Sequence, residues 1–179
     1  MDRMHGLWGP PPADKAGGRA PLYTPAERLR RDATVWTLVQ GVLAPLQFLV
    51  FLASLGLVLR YLLSGEGYAL ANASVVLKTL LLYTIMVTGS IWEKVVFGKW
   101  LFAPAFFWED VFSMGVLALH SAYLVALASG ALDARGLMLL ALAAYATYVI
   151  NAAQFIIKLR MARLDAARPQ AVAHGAYAP

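Results

Sequence analysis

The stretch 35–63, VWTLVQGVLAPLQFLVFLASLGLVLRYLL, decides the fold. It is almost wholly apolar and exceeds the roughly 20 residues that an α-helix needs to cross a bilayer. Three stretches of the same kind follow: 70–92 (LANASVVLKTLLLYTIMVTGSIW), 106–129 (FFWEDVFSMGVLALHSAYLVALAS) and 136–157 (GLMLLALAAYATYVINAAQFII). The expected fold is all-α, a polytopic membrane protein built as a four-transmembrane-helix bundle. Composition agrees, with 60% hydrophobic and only 14% charged residues, against about 25% charged in an ordinary soluble domain. The chain has no cysteine. That excludes disulfides, thiolate catalysis and cysteine-ligated metals.

The segments outside these runs set the organisation. SGEG and SGALDARG read as short turns. EKVVFGKWLFAP is a longer connection suited to the headgroup interface, with Trp92, Trp100 and Trp108 around it. Residues 1–25, rich in Pro, Gly and Ala, read as a disordered tail. Residues 26–164 form the membrane domain, and 165–179 a second flexible tail. In TPAERLRRDATVW, Thr24 suits a helix cap, Pro25 the first helical position and Glu27 the capping-box spacing.

The net charge of +5 sits mostly at the ends of the apolar runs. This favours anionic lipid headgroups over nucleic acid as the partner. Arg28, Arg30 and Arg31 precede the first run, Lys94 and Lys99 lie in the middle connection, and Lys158, Arg160 and Arg163 follow the last run. The two short turns carry only Arg60 with Glu66 and Asp133 with Arg135. The positive-inside rule then places both termini and the middle connection in the cytoplasm. No signal-type apolar core precedes the first run, which agrees with a cytoplasmic N-terminus.

Ionisable groups inside membrane spans are expensive and are functional candidates by default. Glu93, Glu109 and Asp110 lie near the cytoplasmic ends of their spans, with Gln40 and Gln47 from span one and Asn151 and Gln154 from span four. Helical spacing puts Glu109, Ser113 and His120 on one face and turns Asp110 about 100° away. Lys78 and His120 lie deeper, at matching depths, where they can meet across the bundle. Competing readings stand beside these. The acids can be interfacial residues paired with Lys99 or Arg30, Lys78 can snorkel to a surface, and the amides can simply tie helices together. Taken jointly, polar groups from all four helices at one depth point to a pocket open at the cytoplasmic interface. Its aromatic and aliphatic walls suit a large flat amphiphile better than an ion.

The wording of three segments carries a resemblance: TLVQGVLAPLQFLVFL (37–52), LKTLLLYTIMVTGSIWEKVVFGKWLFAPAFFWEDVFSM (77–114) and AAYATYVINAAQFIIKLRMARL (143–164). Across residues 24–164 the chain resembles the 3-vinyl bacteriochlorophyllide hydratases of photosynthetic bacteria, most distinctively in 89–114. The resemblance implies a hydro-lyase that adds water to the C3 vinyl group of a magnesium chlorin, giving a 1-hydroxyethyl group, in a bacterial inner (intracytoplasmic) membrane. It implies a chlorophyllide-type tetrapyrrole as substrate, no cofactor (the magnesium belongs to the substrate), and other bacteriochlorophyll-synthesis enzymes as further partners.

The resemblance brings no catalytic signature, so roles follow from chemistry. Hydrating a vinyl group needs an acid that protonates carbon and a base that takes a proton from water. Glu109 is the first candidate, then Glu93 and Asp110. Gln47, Asn151, Gln154 and Ser113 are candidates for holding water or the ring's polar groups. His120 is a candidate ligand of the substrate's magnesium. Glu109 and His120 stand 11 residues apart, roughly 16 Å along a helix, too far to serve the vinyl group and the metal of one chlorin. The competing functions are a non-catalytic pigment-binding or assembly protein and a small quinone- or ion-handling subunit.

Overall fold

The structure is a computed structural model describing residues 22–175, with side chains placed through Leu164 except Ala162. Most of the first expected tail, residues 1–21, lies outside these limits; of the second, residues 165–175 are described and are helical, and only 176–179 lie outside.

Helix α1, Pro25–Ala33, is short and amphipathic. It starts as its sequence requires: the Glu27 amide donates to Thr24 Oγ1 at 3.3 Å, and the Thr24 amide donates to Glu27 Oε2 at 2.8 Å. Thr34 is extended; it ends α1 and caps α2. The four long helices are α2, Val35–Ser64; α3, Tyr68–Phe97; α4, Phe107–Ser129; and α5, Ala134–Gly175, whose apolar part is Ala134–Met161. All four are long and apolar enough to cross a membrane. Their starts and ends lie close to the four apolar runs, with two exceptions. Helix α5 continues past 157 to Gly175, through residues read from sequence as flexible tail. The residues EKVVF, read from sequence as connection, form the last turn of α3, which stops only at Gly98. Tyr23, placed in the loose tail by its composition, is buried.

The α2–α3 and α4–α5 hairpins are antiparallel, and α2 also packs on α5 and α3 on α4. The α2–α3 turn is tight because Gly65 and Gly67 both take positive φ, 76° and 82°, a region costly for residues with a Cβ. The core at this hairpin end and the bundle centre holds Phe51, Val58, Val75, Val116, Met138 and Tyr145. Outward-facing leucines and valines such as Leu49, Leu63, Leu80 and Val125 remain exposed, as lipid-facing helices require.

At the opposite, connection end, Tyr23, Trp92, Phe97, Phe106 and Phe155 form a separate aromatic cluster. Tyr23 stacks on Phe97 with centroids 5.8 Å apart, and the Arg31 guanidinium lies 4.8 Å from the Tyr23 ring. Burial pushes the Tyr23 phenol above its usual range, against the pull of Arg31. Arg30 Nε donates to the Val96 carbonyl at 2.8 Å, which pins α1 across the end of α3.

Facing contacts fix the helix register. Ser54 bonds Tyr145 (2.6 Å) and Phe51 packs on Tyr148 with centroids 5.0 Å apart. Three residues back along α2 thus match three forward along α5. One further turn brings Gln47 level with Ala152, beside Asn151. Asn151 bonds Ser113 at 2.8 Å, so the next turn of α5 brings Gln154 level with Asp110 on α4.

Candidate functional site

The connection 98–106 holds the central feature of the site. Phe102 has φ 58°, the left-handed region, and is the one such non-glycine residue among those described. A bulky side chain there costs roughly 1–3 kcal/mol, and such strain clusters at functional sites. Pro104 follows, which keeps Ala103 out of a helix and its amide out of a helical ladder. The strained turn presents two consecutive amides to two carboxyl groups. Phe102 N–H donates to Asp110 Oδ2 at 2.8 Å, and Ala103 N–H donates to Glu93 Oε2 at 3.2 Å. Glu93, from the end of α3, and Asp110, from the first turn of α4, are 5% and 4% exposed and interact directly with each other. The site is thus a buried carboxyl pair clamped by backbone.

Glu109, the first sequence candidate, is elsewhere. It faces α5 and pairs with Lys158 Nζ at 2.5 Å; Lys158 in turn lies 5.0 Å from the Phe106 ring. The predicted shared face of Glu109 and Ser113 holds, since both look toward α5. Neither Lys99 nor Arg30, the partners considered for the acids from sequence, pairs with Glu109, whose observed partner is Lys158.

Level with Asp110 and about one turn deeper come the amides. Asn151 Nδ2 donates to Ser113 Oγ, while Asn151 Oδ1, Gln154 Oε1 and Gln47 Nε2 are buried with no hydrogen-bond partner. Gln40 has a plain structural role: its Nε2 donates to Thr88 Oγ1 at 2.8 Å, which ties α2 to α3.

Near the bundle's middle, Lys78 Nζ lies 2.9 Å from His120 Nε2, and both side chains are fully buried. The two deep ionisable groups therefore meet, and Lys78 does not snorkel. His120 Nδ1 donates to the Val116 carbonyl at 2.8 Å, which leaves Nε2 as the acceptor for the lysine. Both ring nitrogens are engaged, so the imidazole presents no free lone pair to a metal. Lys78 Nζ also sits 3.9 Å from the Tyr148 ring centroid. Around this pair run ties that the sequence reading missed: Ser54 with Ser74 and Tyr145, Tyr123 with Asn72, and Tyr83 with Ser121. Hydroxyls in apolar runs give little signal on their own. Lys158 and the Phe102–Ala103 amides were also missed, although the proline at 104 marked those amides as free of a helix.

The fold and site define a class: a four-span membrane helix bundle with a buried acid pair at one end. The profile of the family described as 2-vinyl bacteriochlorophyllide hydratase matches residues 23–161. The chain is 70% identical over 155 residues to a 2-vinyl bacteriochlorophyllide hydratase of Cereibacter sphaeroides, covering 86% of this chain and 96% of that one. It is 69% identical over 153 residues to the like-named protein of Rhodobacter capsulatus, covering 86% and 89%. The chain belongs to the 2-vinyl bacteriochlorophyllide hydratase family, the family that its wording resembles apart from the number given to the vinyl position. No solved structure matches it.

Proposed function

We propose that this protein is a carbon–oxygen hydro-lyase that adds water across the C3 vinyl group of a magnesium chlorin of the bacteriochlorophyllide type, and that Glu93 and Asp110 do the proton chemistry. The observation that carries the assignment is the buried Glu93–Asp110 pair on the Phe102 and Ala103 amides. Two carboxyl groups in contact disfavour double ionisation, so the pair starts with one proton. It gives that proton to the terminal vinyl carbon, and the inner carbon becomes cationic, its charge spread over the macrocycle. The pair, now doubly ionised, stabilises that cation. Water oxygen bonds to the inner carbon, one water proton returns to the pair, and the other stays as the hydroxyl hydrogen. The vinyl group has gained one water, and the pair has recovered its starting proton.

The surroundings support a flat amphiphile arriving from lipid. Phe102, Phe107 and Trp108 are exposed apolar side chains beside the clamp. The loop charges support a cytoplasmic site: the arginines of α1, Lys94 and Lys158 all lie at the connection end, while at the hairpin end Arg60 is paired with Glu66 at 3.7 Å. In this reading the chlorin's charged edge stays at the headgroups, and the lipid neighbours are those of a bacterial inner membrane.

The test is to incubate the purified protein in lipid nanodiscs with a vinyl chlorophyllide and measure product mass. A gain of one water is the expected result. Tight pigment binding with no mass change would instead mark a pigment-binding or assembly protein.

A further inference from the structure

Three buried polar atoms in the membrane interior have no partner among the described residues: Gln47 Nε2, Asn151 Oδ1 and Gln154 Oε1. Gln47 is 3% exposed and Asn151 9%. An unpaired buried polar atom costs about 1–3 kcal/mol, and three gathered in one place call for a ligand. They do gather: Asn151 and Gln154 are three residues apart on α5, so they share a face, and the α2–α5 register brings Gln47 beside Asn151. The same register brings Gln154 level with Asp110, so the group lies at the depth of the carboxyl pair.

The atom types narrow the ligand. The set offers one donor, Gln47 Nε2, and two acceptors, Asn151 Oδ1 and Gln154 Oε1. In this arrangement Asn151 Nδ2 donates to Ser113 Oγ at 2.8 Å, which leaves its Oδ1 as the acceptor. A carboxylate or a ring ketone needs donors only, and an ammonium needs acceptors only. Water has two hydrogens and two lone pairs. Three of these four positions match the three side chains, and one lone pair is left over.

We infer that Gln47, Asn151 and Gln154 hold the water molecule that is added, with its free lone pair aimed at the inner vinyl carbon. This rests on the proposed hydratase reading. The three are positioning residues: the amides carry no proton away. Once the C–O bond forms, the protonated hydroxyl turns one O–H from its amide oxygen to the Glu93–Asp110 pair, which takes that proton. Holding the water on one side of the macrocycle plane fixes the configuration of the new 1-hydroxyethyl carbon.

The test measures turnover, chlorin affinity and the ratio of the two hydroxyethyl diastereomers in nanodiscs. The wild type should give predominantly one diastereomer. Asn151→Leu and Gln154→Met should each lose turnover by roughly 10²-fold, the size expected for a misplaced reactant. Chlorin affinity should hold, and the residual product should shift toward equal amounts. Asn151→Asp keeps an acceptor and should keep the selectivity. If Asn151→Leu does not fold, the half-buried Gln154→Met gives the same reading. Wild-type turnover or an unshifted ratio in the variants overturns the water site, and so does lost chlorin affinity. Absence of hydration by the wild type itself overturns the hydratase reading instead.

Discussion

Glu93 and Asp110 come together because one ends α3, the other begins α4, and the strained Phe102 turn between them supplies an amide to each. Replacing either with its amide keeps the shape and removes the titration. Glu93→Gln and Asp110→Asn should each reduce hydration by 10²- to 10⁴-fold, the usual loss for a general acid or base. Glu109→Gln, which breaks only the pair with Lys158, should stay within about tenfold of wild type, short of that loss. Turnover assays at matched pigment binding decide it; if Glu109→Gln shows the large loss and the other two do not, the acid pair has been misassigned. The sequence made these side chains conspicuous, because acids and amides stand out in apolar runs. It could not rank them. Adjacent residues on a helix point about 100° apart, so Asp110 faces α3 and Glu109 faces α5, and only the helix neighbours reveal which face meets another acid. In the sequence Glu109 drew attention because it shares a face with Ser113. That face proved to be the one against α5, where Lys158 occupies the carboxylate. His120 similarly looked available for a metal until Lys78 and Val116 were found on its two nitrogens.

The helices and their connection obey a lipid-solvent logic. Apolar side chains gain little from leaving lipid for another helix, so packing and interhelical hydrogen bonds carry more of the association. Lys78 with His120 ties α3 to α4, and Ser54 with Tyr145 ties α2 to α5. His120→Leu leaves the Lys78 amine buried without its acceptor and should lower stability by about 1–3 kcal/mol. Adding Lys78→Met to it should recover most of the loss, because an apolar pair demands no partner. Thermal unfolding in detergent reads both; a double variant as unstable as the single one shows that the pair is not the cause. The connection offers a separate check. Phe102→Gly keeps the N–H and accepts φ 58° freely, so hydration should persist within a few-fold. Phe102→Pro removes the donor to Asp110 and forces negative φ, so hydration should collapse. Equal activity in the two variants would show that the clamp is unimportant. Helix positions were legible from run length and from Thr24, Gly65 and Gly130 at the ends. The left-handed Phe102 was not, because nothing in a single sequence marks a bulky residue for that conformation.

Across the whole molecule, polar chemistry is concentrated toward one end of a bundle whose sides are apolar. The span count was legible because four long apolar runs separated by charged or glycine-bearing turns leave few alternatives. Which helices touch was not, since all four are apolar on every side and give no directional stripe. The distribution of Lys and Arg makes a directional prediction. A reporter fused after Pro179 should read as cytoplasmic and one inserted within 130–135 as periplasmic, and the reverse pattern would move the acid pair to the other side of the membrane. The central claim is that this chain hydrates a vinyl chlorin at the Glu93–Asp110 pair. The most direct measurement is single-turnover hydration in nanodiscs with oxygen-labelled water, wild type against Glu93→Gln, at equal bound pigment. The account predicts one labelled oxygen per chlorin from the wild type and almost none from the variant in the same interval. Labelled product from both at similar rates would contradict it, as would bound but unchanged chlorin in the wild type.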